Sequence, residues 1–576
     1  MKNKKNADSA QRKPLRLWPG VVIVSLQWLV RYGIPVIAPG DTANQMGVFG
    51  GLLGGFAIII WWAFFSRAPR FERWFAIFLM IAALLATSQI IHISIRTTMM
   101  GLMFPVFSIP VLSLAFVAWA IASRKLSKER RLAIMVATII VASGFWTFLR
   151  TDGMDADIHQ DFAWRWAKTH EDRLLTQIDN NQITKPLDSV AMETEAEWPG
   201  FRGPDRDGII HGVRIGTDWL KTPPVEMWRR PVGPGCSSFA IHGGLLYTQE
   251  QRGEYELVTC YDLETGEPVW SHRDSARFWD SHAGAGPRST PTLSYGRVYT
   301  LGATGILNVL DERDGTVVWS RDAASDTGVK VLPWGFTSSP LVVSDVVIVA
   351  LSGKLAAYNA ASGKLRWVGP DGGNSYSSPH LITIGGILQV LLMSQSGAVS
   401  LSPTDGKQLW NYAWPSDDRI LQPAVISGGD LLLAGGLNGI CRITASNAQG
   451  EWTARELWTS DELKLNLNDF IIHKDHAYGF NGPRIACMDI KDGKRVWQGD
   501  LYRGWLLLLA DQDLLVVLSE KGELALVEAN PGQFKELARI PAIKGKTWNH
   551  PVLVGDILVV RNNQEMAAFR LSHAGD

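Results

Sequence analysis

At 576 residues the chain is longer than one ordinary hydrophobic core can fill, so at least two domains are expected. Its 56 basic and 56 acidic side chains cancel, which removes any global electrostatic pull toward nucleic acid. Cys236, Cys260, Cys441 and Cys487 stand far apart, so no zinc-ribbon or c-type haem motif occurs, while a disulfide between distant strands stays open.

A basic tail occupies residues 1–16. Five apolar stretches follow at 17–38, 46–65, 74–95, 99–122 and 132–149, each near the roughly 20 residues that cross a bilayer. They predict a transmembrane domain over 17–150, with the lipid bilayer as its partner. Positive charge sets its orientation. Lys2, Lys4, Lys5, Arg12, Lys13 and Arg16 lie in the tail, Arg67, Arg70 and Arg73 after the second stretch, and Arg124, Lys125, Lys128, Arg130 and Arg131 after the fourth. The alternate loops hold only Arg96. This pattern places the N-terminus in the cytoplasm, the helices in the cytoplasmic membrane and everything after Arg150 in the periplasm or outside. The first stretch lacks a small-residue cleavage site and reads as an uncleaved anchor. His92 is the one histidine expected in the helices, and Asp and Glu are expected only in loops and tail. An anchor or docking bundle is therefore expected, with a quinone pocket or transport role as the alternative.

Residues 151–197 form a polar linker. A helix is predicted at about 160–180, carrying Phe162, Trp164, Trp166, Leu174 and Leu175, placed either at the lipid interface or beneath the next domain.

From 198 onward the chain repeats itself. LVTCYDLETGEPVW ends at Trp270, LNVLDERDGTVVW at Trp319, LAAYNAASGKLRW at Trp367, AVSLSPTDGKQLW at Trp410 and IACMDIKDGKRVW at Trp497. A lengthened copy ends at Trp458, and LALVEANPGQFKEL is a degenerate copy with Leu537 near the Trp slot. Successive Trp positions lie about 39 to 49 residues apart, the length of one four-stranded propeller blade. In each copy an alternating strand meets a Gly-containing hairpin turn, and the next strand ends in an indole suited to the wedge between blades. Val552–Val554, Ile557–Val560 and Met566–Leu571 supply only three strands. The missing fourth, with Trp228 in the repeat slot, stands at 225–230. The expectation is an all-β, eight-bladed propeller of antiparallel four-stranded blades over 198–576, closed by strands from both ends, after an all-α five-helix bundle.

These repeats resemble the pyrroloquinoline-quinone-like (PQQ-like) propeller family, with Asp262-Leu-Glu-Thr-Gly-Glu-Pro-Val-Trp270 as the nearest copy of its D-x-x-T-G-K…W pattern. The opening Trp198-Pro-Gly-Phe-Arg-Gly-Pro-Asp-Arg-Asp-Gly208 is similar to the W-P-x-F-R-G-P segment of a bacterial branch. The resemblance implies the fold over about 198–571. That family includes quinoprotein dehydrogenases and a cofactor-free outer-membrane assembly lipoprotein with a scaffolding role. The layout of five spans and a propeller is similar to membrane-bound quinoprotein glucose dehydrogenase, but the propeller region here is shorter and a vicinal cysteine pair is absent.

In a propeller the starts of the innermost strands face one funnel. Those starts bring forward Arg288, Trp334, Tyr376, His380, Gln422, Asn468, Asp469, Trp505, Trp548, Asn549 and His550. Aromatic faces with a few polar groups suit a planar or sugar-like ligand. The Ser/Thr–Pro pairs among them are expected to be structural. If the family resemblance extended to a dehydrogenase, Asp469 would be the general base, Asn468 and Asp469 calcium ligands, and Arg288 the partner of a PQQ carboxylate. His473 and His476 flank Asp475 in a predicted surface turn, and Trp279, Asp280 and His282 lie in a loop. The leading expectation is a binding or scaffold module of the cell envelope, with no cofactor and a protein or small-molecule ligand at the funnel. The alternative is a PQQ-dependent dehydrogenase that oxidises a sugar or alcohol and passes electrons to membrane quinone.

Overall fold

The computed structural model describes residues 15–38, 40–154, 160–178, 195–416, 420–465 and 467–574. The chain divides into two compact units, 1–167 and 168–576.

The first unit holds five helices long and apolar enough to cross a membrane: Trp18–Ile37, Thr42–Phe65, Arg70–Ile90, Met103–Lys125 and Lys128–Phe148. Trp61, Trp62, Phe116 and Trp119 fill their common core, with Trp62 edge-on to Phe116 at 4.8 Å. Acidic residues are not confined to loops, contrary to expectation. Glu72 lies in the first turn of the third helix, buried, and meets Arg131 of the fifth at 2.6 Å. A buried carboxylate needs such a partner. The single helix expected near 160–180 is instead a strand and a shorter helix. Gln160–Trp164 pairs antiparallel with Leu149–Met154, because Phe162 and Trp164 alternate with the period of a strand.

The helix His170–Ile178 opens the second unit. Thr169 and Asp172 cap it reciprocally, each accepting the other's backbone N–H, at 2.9 and 2.8 Å. Glu171 ties it to the propeller through Arg277 and the Gly253 N–H, both at 2.8 Å.

The propeller has eight blades. They span 240–274, 292–322, 341–368, 380–413, 424–460, 471–501 and 504–541, and the eighth joins Val552–Val554, Ile557–Arg561 and Glu565–Arg570 to Val225–Pro231. The ring therefore closes as expected, with Trp228 opposite Ala568. The short strand Ile209–Ile210 adds parallel to the inner strand of blade 7.

The seams between blades explain the repeat. Trp228, Trp270, Trp319, Trp367 and Trp497 each donate an indole N–H, at 2.8 to 3.1 Å, to a carbonyl in the third-to-fourth-strand turn of the next blade. At the first four of these a glycine of that turn lies beneath the ring, whereas Gly532 in the turn that meets Trp497 does not. A Cβ on Gly363 would sit 2.7 Å from Trp319, and Gly363 has φ +67°, so Gly answers both a steric and a backbone demand. Gly266, Gly315, Gly406 and Gly493 repeat this under Trp228, Trp270, Trp367 and Trp458. Two seams differ. Blade 5 has a long hairpin in place of the Gly turn, and Trp410 turns its N–H to Gln389 of its own blade at 2.8 Å. Blade 8 has no third-to-fourth-strand turn, since its fourth strand comes from the other end of the sequence, and blade 7 has no Trp in its fourth strand. The residue in the blade 7 slot is Ala538, not Leu537. A β-bulge precedes the slot in every blade, and Leu537 is the bulged residue, as Val269 is before Trp270.

Candidate functional site at the propeller axis

The segment 198–208 lies across the inner strands rather than leading into them. Trp198 exchanges backbone hydrogen bonds with Ile241 of blade 1, Pro199 O accepts from Leu293 N of blade 2, and Gly208 O accepts from Leu508 N of blade 7. Phe201 meets the His550 ring beside blade 8 at 4.9 Å. Arg206 donates to the carbonyls of Ser339 and Pro379, at 3.3 and 3.0 Å, and to Pro340, joining blades 3 and 4. Arg202 donates to Phe470 O at 2.9 Å before blade 6. Both arginines have left-handed backbone, φ +60° and +57°, which a chain retains only where surrounding bonds over-determine it. One segment thus contacts seven of the eight blades.

Asp469 sits in this buried layer. Its carboxylate lies 3.6 Å from the Arg202 guanidinium and is hydrogen-bonded by His550 Nε2. Burial pushes the carboxyl up, but Arg202 and His550 outweigh it and hold it below the usual carboxylate range. His550 stacks on Trp505 at 4.3 Å. Burial, with Arg206 and Arg202 alongside, pushes His380 down to about 3, so its imidazole is neutral. Burial also pushes Arg206 down to about 10.

The other expected residues divide. Arg288 is buried and binds Asp280 at 2.5 Å and the carbonyls of Gly284 and Ala285. Asn468 donates to Gly504 O, Asn549 to Gly235 O and Ser237 O, and the Gln422 amide lies against Ser377 and Ser378. These are bonds that hold strand starts together. A second, half-buried layer is aromatic. Trp334 meets Tyr376 at 4.8 Å and His282 at 6.0 Å. Lys546 donates to His282 O and lies 4.1 Å over Trp548, whose N–H donates to Glu520. Burial lowers the Lys546 ammonium.

A PQQ-type cofactor with calcium needs a free base, oxygen ligands and a cation facing one pocket. Here Arg288 is taken by Asp280 and Asp469 by Arg202 and His550, and among the described residues no three His, Cys, Asp or Glu side chains group as metal ligands. The residues do not fit that group. None of the four cysteines forms a disulfide. His473 and His476 flank a two-residue turn with positive φ at Lys474 and Asp475, and His473 bonds Asp513 at 2.6 Å.

Sequence reasoning missed Arg202, Arg206, Asp280 and Lys546 as parts of the site. The one available signal was charge inside the Gly/Pro-rich stretch 198–208.

Fold and site together define an eight-bladed β-propeller preceded by five long apolar helices, with blade repeats similar to those of the PQQ-like family. A family model described as outer membrane protein assembly factor BamB matches residues 224–380 and 368–499. The outer membrane protein assembly factor BamB of Shewanella oneidensis is 24% identical over 368 residues, covering 59% of this chain and 86% of the relative. That of Yersinia pestis is 23% identical over 365 residues, with 59% and 86% covered. Among solved structures, BamB from Moraxella catarrhalis has a TM-score of 0.42 at 15% identity, covering 61% of this chain and 99% of its own. Quinohemoprotein alcohol dehydrogenase from Comamonas testosteroni has a TM-score of 0.47 at 14% identity, covering 66% and 81%.

Proposed function

We propose that this protein is a membrane-anchored propeller of the cell envelope that acts as a binding or scaffold module, not as a dehydrogenase. The observation that carries the reading is the axis. Asp469, the one candidate base, is buried and committed to Arg202 and His550, and Arg202 belongs to a segment that spans the inner strands. A general base must be free to reach a substrate proton. The half-buried His282, Trp334 and Trp548, with Tyr376 buried against Trp334, support a docking role, since aromatic faces with a few polar tips suit a protein or small-molecule ligand. The printed role of the curated relatives, outer membrane protein assembly, agrees with a role in organising other proteins. Five apolar helices, with cations gathered in the tail and in the loops after the second and fourth, support the cytoplasmic membrane, with the N-terminus in the cytoplasm and the propeller outside.

The test is to purify the full chain, add PQQ with calcium, and follow cofactor absorbance and dye reduction with sugars and alcohols. The reading expects neither stoichiometric binding nor turnover. Tight one-to-one binding with turnover would overturn it.

A further inference from the structure

Where the chain leaves the fifth helix, it exposes a cluster of aromatic rings. Phe145 and Phe148 close that helix, and the hairpin of Leu149–Met154 and Gln160–Trp164 follows directly. Trp164 and Trp166 stack at 5.2 Å with 10° between their planes. Phe145 meets Trp164 at 6.1 Å, and Phe148 meets Trp166 at 6.2 Å. These rings remain 44 to 69% exposed.

Arg165 separates Trp164 from Trp166 in the chain. Its backbone N–H donates to Phe148 O at 2.8 Å, which fixes its place on the hairpin. Its guanidinium has no hydrogen-bond or ion-pair partner among the described residues, and with Ile90, Thr147, Phe148 and Trp166 it lines a groove of about 420 Å³. A second groove of about 260 Å³ sets Arg96 beside Leu84, Leu85, Ile91 and Phe104. The Arg96 guanidinium is likewise without a partner among the described residues. Both grooves open beside the outward face of the third helix, where Leu85 and Ile90 are 63 and 61% exposed.

We propose that Arg165 and Arg96 bind the phosphates of anionic phospholipids, in the leaflet at the end where the fifth helix exits. Each groove pairs a free guanidinium with apolar walls continuous with helix surface of bilayer length, which matches one phosphate above two acyl chains. Stacked Trp rings belong at that depth. The loop between the third and fourth helices holds Arg96 as its one Arg or Lys, and Arg150 at the end of the fifth helix pairs with Asp152. The proposal rests on reading the helices as membrane-spanning.

The experiment uses the full chain in detergent, with phosphatidylglycerol or phosphatidylcholine added and bound lipid counted by native mass spectrometry. Phosphatidylglycerol should be retained several-fold over phosphatidylcholine. Arg165→Gln and Arg96→Gln should each lower its retention roughly five-fold. Arg165→Lys should keep most of it, and Arg313→Gln, exposed on the propeller, should change nothing. Equal retention of the two lipids, or retention unchanged in both Gln variants, overturns the proposal. So does full displacement by millimolar inorganic phosphate, which would make the site one for free anions. Carbonate extraction of native membranes is scored separately. A chain that resists extraction yet shows no lipid preference loses this proposal alone, whereas a chain that is extracted loses the membrane reading as well.

Discussion

The seams between blades and the axis of the propeller are built on different rules. At five seams a Trp of one blade covers a left-handed Gly in the turn of the next, and the same N–H to carbonyl bond recurs at four of these. At the axis residues 198–208 meet the blades through backbone bonds, an aromatic ring and two arginines, with blades 3 and 4 each giving Arg206 a Pro carbonyl. Repetition serves the fold, because identical wedges need identical fillers. The axis is where this chain is individual, and there single side chains carry the arrangement.

Five substitutions sharpen that contrast, taken from the largest expected effect. Trp319→Ala should cost about 3–5 kcal/mol in urea unfolding of the detergent-solubilised chain, since it empties a seam. Trp497→Ala should cost less, because that indole is only half-buried. A loss at Trp497 equal to that at Trp319 would mean that burial does not set the seam's contribution. Next is the closing seam, where Glu250, fully buried, accepts from Arg252, Tyr261, Thr259 and the Gly233 N–H. Arg561 holds the carbonyls of Gly233 and Gln249 beside it. Arg561→Met should cost about 3 kcal/mol, the expected effect of stranding part of a buried ionic network. A neutral result would show closure to be apolar like the other seams.

The third effect depends on pH. Burial pushes Glu256 up to about 7, with Asp274 adding to the rise and the Ala303 N–H opposing it. Between the unfolded value near 4.3 and about 7 the folded chain keeps a proton that the unfolded chain has lost. Stability from this group therefore falls as pH rises through that window. Glu256→Gln should flatten the fall and gain on the order of 2 kcal/mol at pH 8. A variant with the wild-type pH profile would remove Glu256 from the account. Smallest of all, His476→Ala should lie within about 0.5 kcal/mol of wild type, as expected for a solvent-facing turn.

Much of the fold was legible because it is periodic. Trp228 at one end and three strands at the other pointed to eight blades, and the register of Trp228 with Ala568 is how the ring closes. The bulge before each Trp was not legible, and it sets the blade 7 slot at Ala538, one residue beyond Leu537. One inserted residue changes a register without changing composition. The strand at 160–164 carries little strand signal, because its apolar residues are few and its partner lies next to a helix end. At the axis the inner-strand starts did identify His380, Asp469, Trp505 and His550 as neighbours of one layer. They could not show that Arg202 and Arg206 fill it, because those bonds span 133 to 268 residues and no repeat announces them.

The central claim is that Asp469 is spent on holding the 198–208 segment. A double-mutant cycle of Arg202→Met and Asp469→Asn, read as unfolding free energy, tests it most directly. The account predicts that each single change destabilises the propeller and that the pair is coupled by about 2 kcal/mol or more, since either one strands the other's buried charge. Additive effects, or an Asp469→Asn variant as stable as wild type, would contradict it and return Asp469 to the pool of free carboxylates.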